Sequence, residues 1–186
     1  MRFSLVDRII DVKPGKEITA VKALSLCEEY LADHFPNFPV LPGVLMLEAL
    51  TQAAAWLVRI TEDFAHSIVV LKEAKRVRFG QFVEPGQVLQ VRAEIIRDDG
   101  RLTEVQAEGI LNGKTTVSAR LVMERYNLGE RDPTCASLDD SVKRDMRKLL
   151  GLLLGAGKLS NGTPAKETNP SAGSQLGGQS VMLKST

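Results

Sequence analysis

The chain has 186 residues, of which 44% are hydrophobic, and a formal net charge of +1. That is enough for one full core with something added. Near-neutral charge and only 5% aromatic residues argue against bulk nucleic-acid binding, which needs a basic surface and stacking platforms. No apolar run approaches the roughly 20 residues of a membrane span. Charge also interrupts the first seven residues too early for a signal peptide, so a cytoplasmic protein is expected. Cys27 and Cys135 stand alone with no second Cys or His at ligand spacing, so ordinary thiols and no metal are expected.

In chain order, Leu5 to Val12 reads as a strand, Lys13-Pro14-Gly15-Lys16 as a turn, and Ile18 to Leu26 as the returning strand of a hairpin. Glu28 to Leu31 can make a short helical turn. Next come His34-Phe35-Pro36-Asn37-Phe38-Pro39-Val40-Leu41-Pro42-Gly43, where Pro36, Pro39 and Pro42 fix φ and predict a stiff, extended loop that places His34 firmly. From Val44 to Val58 the residues are good helix formers and nearly all apolar, the pattern of a helix buried on most sides. Glu48 and Gln52 interrupt it. Four residues apart, they share a face, and a carboxylate placed there must find a hydrogen-bond partner.

After a polar connector, in which His66 is expected to be exposed, Ile68 to Phe79 reads as a strand carrying Lys72, Lys75, Arg76 and Arg78, ordinarily a solvated face. Glu84-Pro85-Gly86-Gln87 is a turn. Three strands follow, Val88 to Arg97, Leu102 to Leu111 and Thr115 to Tyr126, joined by Asp98-Asp99-Gly100 and Asn112-Gly113, both strong hairpin signals. One apolar helix among so many strands can be buried only if the sheet wraps it. The expectation is an α+β fold, a long central helix held in a curved antiparallel sheet of about five to six strands.

Beyond residue 128 the composition changes. Leu138, Val142, Met146, Leu149, Leu150 and Leu153 recur at helical spacing opposite Lys143, Arg144, Arg147 and Lys148. This predicts an amphipathic helix that docks on the domain or on a partner subunit, membrane-surface contact being the sharper alternative. The expected organisation is a domain over 1–128, a linker and amphipathic helix over 129–154, and a flexible polar tail over 155–186.

His34-Phe35-Pro36, Pro39, Pro42-Gly43-Val44-Leu45, Glu48-Ala49 and Gln52-Ala53 together resemble the active-site segment of the β-hydroxyacyl-acyl carrier protein dehydratases of the FabZ type. The similarity runs from about Leu5 to about Arg125 and takes in Leu5-Val6-Asp7-Arg8, Arg78-Phe79 and Val83-Glu84-Pro85-Gly86. Glu at position 48, where the related FabA-type enzymes use Asp, favours the FabZ side. The chain departs from the family pattern at Asp33, Asn37, Phe82 and Gln87.

The resemblance implies the hot-dog fold. It implies removal of water from a (3R)-3-hydroxyacyl chain on acyl carrier protein in fatty acid biosynthesis, without a metal or other cofactor. It makes His34 the base, Glu48 the acid and the Gly43 backbone N–H the donor to the thioester oxygen, with Gln52 supporting Glu48. It also makes Lys72, Lys75, Arg76 and Arg78 a candidate docking face for the acidic carrier protein. It implies a homodimer or higher homo-oligomer, a hexamer built as a trimer of dimers among the possibilities, in which His comes from one subunit and Glu from its neighbour. Two other readings are a hot-dog thioesterase and a catalytically silent acyl-binding subunit.

Overall fold

The computed structural model describes residues 3–155. Strands β1 (Arg8–Lys13) and β2 (Glu17–Ala23) form the first hairpin, and a 3-10 turn (Glu29–Ala32) leads to helix α1 (Gly43–Thr61). Strands β3 (Ile68–Phe79), β4 (Val88–Asp98), β5 (Leu102–Leu111) and β6 (Lys114–Tyr126) follow, and then α2 (Leu128–Arg131), a second 3-10 turn (Pro133–Cys135) and α3 (Ala136–Leu154). The six strands make one antiparallel sheet in the order β1-β2-β4-β5-β6-β3. This is the expected hot-dog arrangement, with β1 and β3 at its two edges.

The sheet curves because its pairing is interrupted. Register shifts occur between Leu71 and Glu73 and between Lys75 and Arg78, where Arg76 takes a φ of 52°. Each bulge adds an unpaired residue and bends its strand. At the sheet centre Ala93 pairs with Ala107 and Ala107 with Ala119, all of them buried. Small side chains there, with Ala49, Ala53 and Ala54 on α1, allow helix and sheet to approach closely. At the β5–β6 turn, Asn112 and Gly113 have φ of 50° and 76°, the left-handed pair that a two-residue hairpin matching strand twist requires.

Helix α1 contacts β2, β3, β4, β5 and β6 and buries Met46, Ala49 to Thr51 and Ala53 to Val58. By length and composition it could cross a membrane, but here the sheet covers it. Its C-terminal end is tied down by a buried ionic cluster. Arg125, 8% exposed, donates to Asp98, the Gly100 carbonyl and Thr103, and its Nε lies 3.3 Å from Glu62. Glu62 in turn accepts from the His66 backbone N–H and binds its ring at 2.9 Å, so His66 is half-buried rather than exposed as the polar connector suggested.

Helix α3 docks on the chain's own domain. Leu153 joins the core, and Met146, Leu149, Leu150 and Leu154 pack against it. The expected stripe is corrected at both ends of its logic. Leu138 stays exposed and Asp139 is buried instead, because its carboxylate accepts the Leu128 and Gly129 backbone N–H groups and the Ser67 hydroxyl. Arg147, placed on the solvated face by periodicity, reaches back to Asp63 at 2.6 Å and lies over the Phe64 ring. The tail expected over 155–186 falls, after Gly155, outside the described residues.

Candidate active site

The segment before α1 folds rather than running straight. Phe38 N–H donates to the Phe35 carbonyl at 2.9 Å, a β-turn with Pro36 where its fixed φ suits position i+1. The expectation of an extended loop over this stretch is therefore corrected, though its purpose is met. Val40 N–H donates to the His34 carbonyl at 3.1 Å, and the His34 Nδ1 lies 3.1 Å from the Val40 carbonyl. Val40 and Leu41 are buried, and Leu41 N–H donates to the Val83 carbonyl at 2.8 Å. The His34–Phe35 peptide is cis, and the two rings stack at 4.3 Å.

That geometry selects a tautomer. A carbonyl oxygen can only accept, so Nδ1 of the half-buried ring carries a hydrogen, and in the neutral imidazole the lone pair then falls on Nε2. Asp33, beside it in sequence, is exposed.

A second ionic cluster holds the approach to the loop. Lys22, 4% exposed, donates to Glu28, which also accepts from the Tyr30 hydroxyl. Burial alone would raise the Glu28 carboxyl; the hydrogen bonds from Lys22, Tyr30 and the Ser25 backbone outweigh it and hold it below the usual range. Burial and the bond to Glu28 together push the Tyr30 phenol up.

Gly43 opens α1. Pro42 supplies no side-chain cap, and its carbonyl accepts from Leu45 and Met46, so the Gly43 N–H finds no acceptor among the described residues. An uncapped helix N-terminus of this kind carries partial positive charge and free donors. A Cβ at Gly43 would stand 3.2 Å from the Phe79 ring, so the absence of a side chain lets that ring lie against the turn.

Five residues on, Glu48 is half-buried, and Gln52 Nε2 donates to its Oε1 at 2.9 Å. Gln52 also accepts the Leu5 N–H at 2.8 Å and donates to the Phe3 carbonyl. The two side chains line a cavity of about 520 Å³ bounded by Trp56 and Arg59 of α1, Val69 to Leu71 of β3, Phe3 and Ser4, and Met146 and Leu149 of α3. His34 is not among its lining residues, and no hydrogen bond joins His34 to Glu48 among the described residues. The structure thus brings Glu48 and Gln52 together and sets Gly43 one and a half turns away, with His34 on the preceding loop.

Lys72, Lys75, Arg76 and Arg78 are all exposed on β3, with Lys75 paired to Glu73 at 2.9 Å. Cys27 and Cys135 are free thiols. Among the described residues no three His, Cys, Asp or Glu side chains converge as a metal site would require. Trp56 and Arg59 were not singled out from the sequence, although positions 48, 52, 56 and 59 continue one helical face. Nothing before the fold pointed Met146 and Leu149 at the same cavity.

The comparisons agree with this architecture. The family model for the FabA-like domain matches residues 1–120. The chain is 36% identical over 119 residues to the 3-hydroxyacyl-[acyl-carrier-protein] dehydratase FabZ of Ruminiclostridium cellulolyticum, covering 64% of this chain and 84% of that protein. It is 38% identical over 126 residues to the protein of the same name from Thioalkalivibrio sulfidiphilus, covering 64% and 85%. Among solved structures, the dehydratase heterocomplex ApeI:P from Xenorhabdus doucetiae superposes with a TM-score of 0.58 at 20% identity, covering 70% of this chain and 88% of that one. The Streptococcus mutans smu.793 protein bound to acetyl-CoA gives 0.54 at 12%, covering 68% and 94%. At those identities the two structures speak for the fold. The chain belongs to the FabA-like family.

Proposed function

We propose that the protein removes water from a (3R)-3-hydroxyacyl chain carried on acyl carrier protein, giving the trans-2-enoyl thioester in fatty acid biosynthesis. The reaction needs a base at C2, an acid for the departing C3 hydroxyl, and a donor for the charge that builds on the thioester oxygen. His34 supplies the base through Nε2. The Gly43 N–H, at the uncapped start of α1, donates to the thioester oxygen, and the helix dipole adds to it. Glu48 is the acid that protonates the leaving hydroxyl. Water departs with that proton, and the proton taken from C2 passes from His34 back to the Glu48 carboxylate, which resets the pair.

The observation that carries this reading is the 3.1 Å contact between His34 Nδ1 and the Val40 carbonyl, which turns Nδ1 away from the role of base and leaves that role to Nε2, on a loop anchored by buried Val40 and Leu41. A thioesterase would need an activated water instead. The test is incubation with 3-hydroxyacyl carrier protein, followed by mass spectrometry of the intact thioester. A product lighter by one water supports the dehydratase, whereas free acid with no enoyl thioester overturns it.

The site is completed in a homodimer, His34 of one subunit working with the partner's carboxyl group. Two features support this. His34 and Glu48 share no hydrogen bond within one chain, and β3 is a 12-residue edge strand whose Val70 and Phe79 remain exposed. An unpaired edge of that length is a template for a second strand. The exposed Lys72, Lys75, Arg76 and Arg78 give an acidic carrier protein a complementary face.

A further inference from the structure

The cavity that holds Glu48 is also lined by Arg59, a cation with no ion pair among the described residues. Arg59 lines it eleven residues further along α1, roughly 16 Å away at 1.5 Å per residue. A guanidinium has five N–H donors. Here its only acceptor among the described residues is the Val69 carbonyl, at a long 3.4 Å, and its buried Nε has none. The nearest carboxylate in sequence, Glu62, is held by Arg125 and His66. Burial lowers the Arg59 pKa to about 10, with Glu62 opposing only in part. The rest of the cavity end is apolar: Trp56 lies 5.8 Å from the guanidinium, and Met146 and Leu149 of α3 close that side.

Arg59 is half-buried, and a buried Nε with no acceptor is costly unless something pairs with it. In a cavity whose Arg59 end is lined by Trp56, Met146 and Leu149, the natural partner is a group at the far end of the acyl chain. A carboxylate suits it best, because two parallel N–H···O bonds match the guanidinium fork and its charge neutralises Arg59.

We propose that this cavity accepts acyl chains ending in a carboxylate, which Arg59 binds while Trp56, Met146 and Leu149 enclose the methylenes before it. The inference rests on the dehydratase reading of the Glu48 end. It assigns a role to α3, which lies wholly beyond the residues matched by the family model.

The test uses the full-length protein and two carrier-bound 3-hydroxyacyl substrates of equal length, one ending in methyl and one in carboxylate. Wild type is expected to favour the carboxylate-ended substrate by about tenfold in kcat/KM. Arg59→Met should abolish that ratio mainly through KM, and Arg59→Lys should keep part of it. A wild-type preference for the methyl-ended chain overturns the proposal, as does an unchanged ratio in Arg59→Met. The wild-type comparison decides even if the variant fails to fold. If wild type dehydrates neither substrate, the dehydratase reading fails, and calorimetric binding of the two thioesters still decides this one: equal affinities refute it and tighter binding of the carboxylate-ended thioester supports it.

Discussion

Gln52 donates to Glu48 at 2.9 Å from one helical turn away. The same amide holds the Leu5 N–H and the Phe3 carbonyl, so the orientation of the Glu48 carboxyl is coupled to the docking of the N-terminal segment. Gln52→Ala should therefore lower both kcat and stability. Leaving the Leu5 N–H unsatisfied costs about 1 to 3 kcal/mol. Thermal unfolding and turnover, measured side by side, check the pairing; a fall in only one of them separates the two roles.

His34→Ala and Glu48→Gln should each reduce dehydration by about 10²-fold or more with the fold intact, because a general acid or base contributes on that scale. Subunit exchange between the two inactive proteins should restore part of the activity, since some hybrid sites then carry both native groups. Hybrids verified by mass that stay inactive would argue for sites built within one chain.

Gly43→Ala places a methyl 3.2 Å from the Phe79 ring. Phe79 is 53% exposed and can swing aside, so the fold should tolerate the change better than the reaction does. The expected outcome is a fall in kcat with little change in melting temperature. Adding Phe79→Ala should recover activity if crowding at the helix start is the cause.

Acid should loosen the cluster around Arg125. Burial raises the Asp98 carboxyl, but the hydrogen bonds from Arg125 and the Gly100 N–H outweigh it, so the folded value lies below the ordinary 3.8. The unfolded chain then takes up the proton first as pH falls. The stabilisation from Asp98 is fully present above 3.8 and is lost as pH drops through the folded value. Asp98→Asn should flatten the acid limb of a stability–pH curve, and an unchanged limb would place the sensitivity elsewhere.

Truncation after Asp132 should be felt. It removes Leu153 from the core and Met146 and Leu149 from the cavity wall. Loss of one buried leucine side chain alone costs about 2 to 5 kcal/mol. Denaturant unfolding of the truncated protein should therefore show reduced stability, together with altered selectivity among acyl chains.

The strands from Ile68 onward were legible because Asn112-Gly113 and Asp98-Asp99-Gly100 punctuate alternating runs, and α1 because nothing but a buried helix suits residues 44 to 58. The Glu48–Gln52 pair followed from helical spacing. Three things did not follow. The turn at Phe35–Phe38 depends on Phe38 finding the Phe35 carbonyl, which proline content alone does not specify. The burial of Asp139 depends on Ser67, 72 residues away in sequence, and on the Gly129 backbone. The closure of the cavity by α3 is a tertiary contact that a local pattern does not encode.

The order in which the chain emerges from the ribosome gives α1 an awkward interval. Its sheet partners β3, β4, β5 and β6 all lie downstream, and β2 must wait for β4 before it gains its second neighbour. Until about Tyr126 has been made, a 19-residue apolar helix, long enough to be mistaken for a membrane segment, has little to cover it. Pairings that distant close slowly. The nascent protein is therefore expected to engage a hydrophobe-binding chaperone during synthesis and to release it only once the last strand is in place.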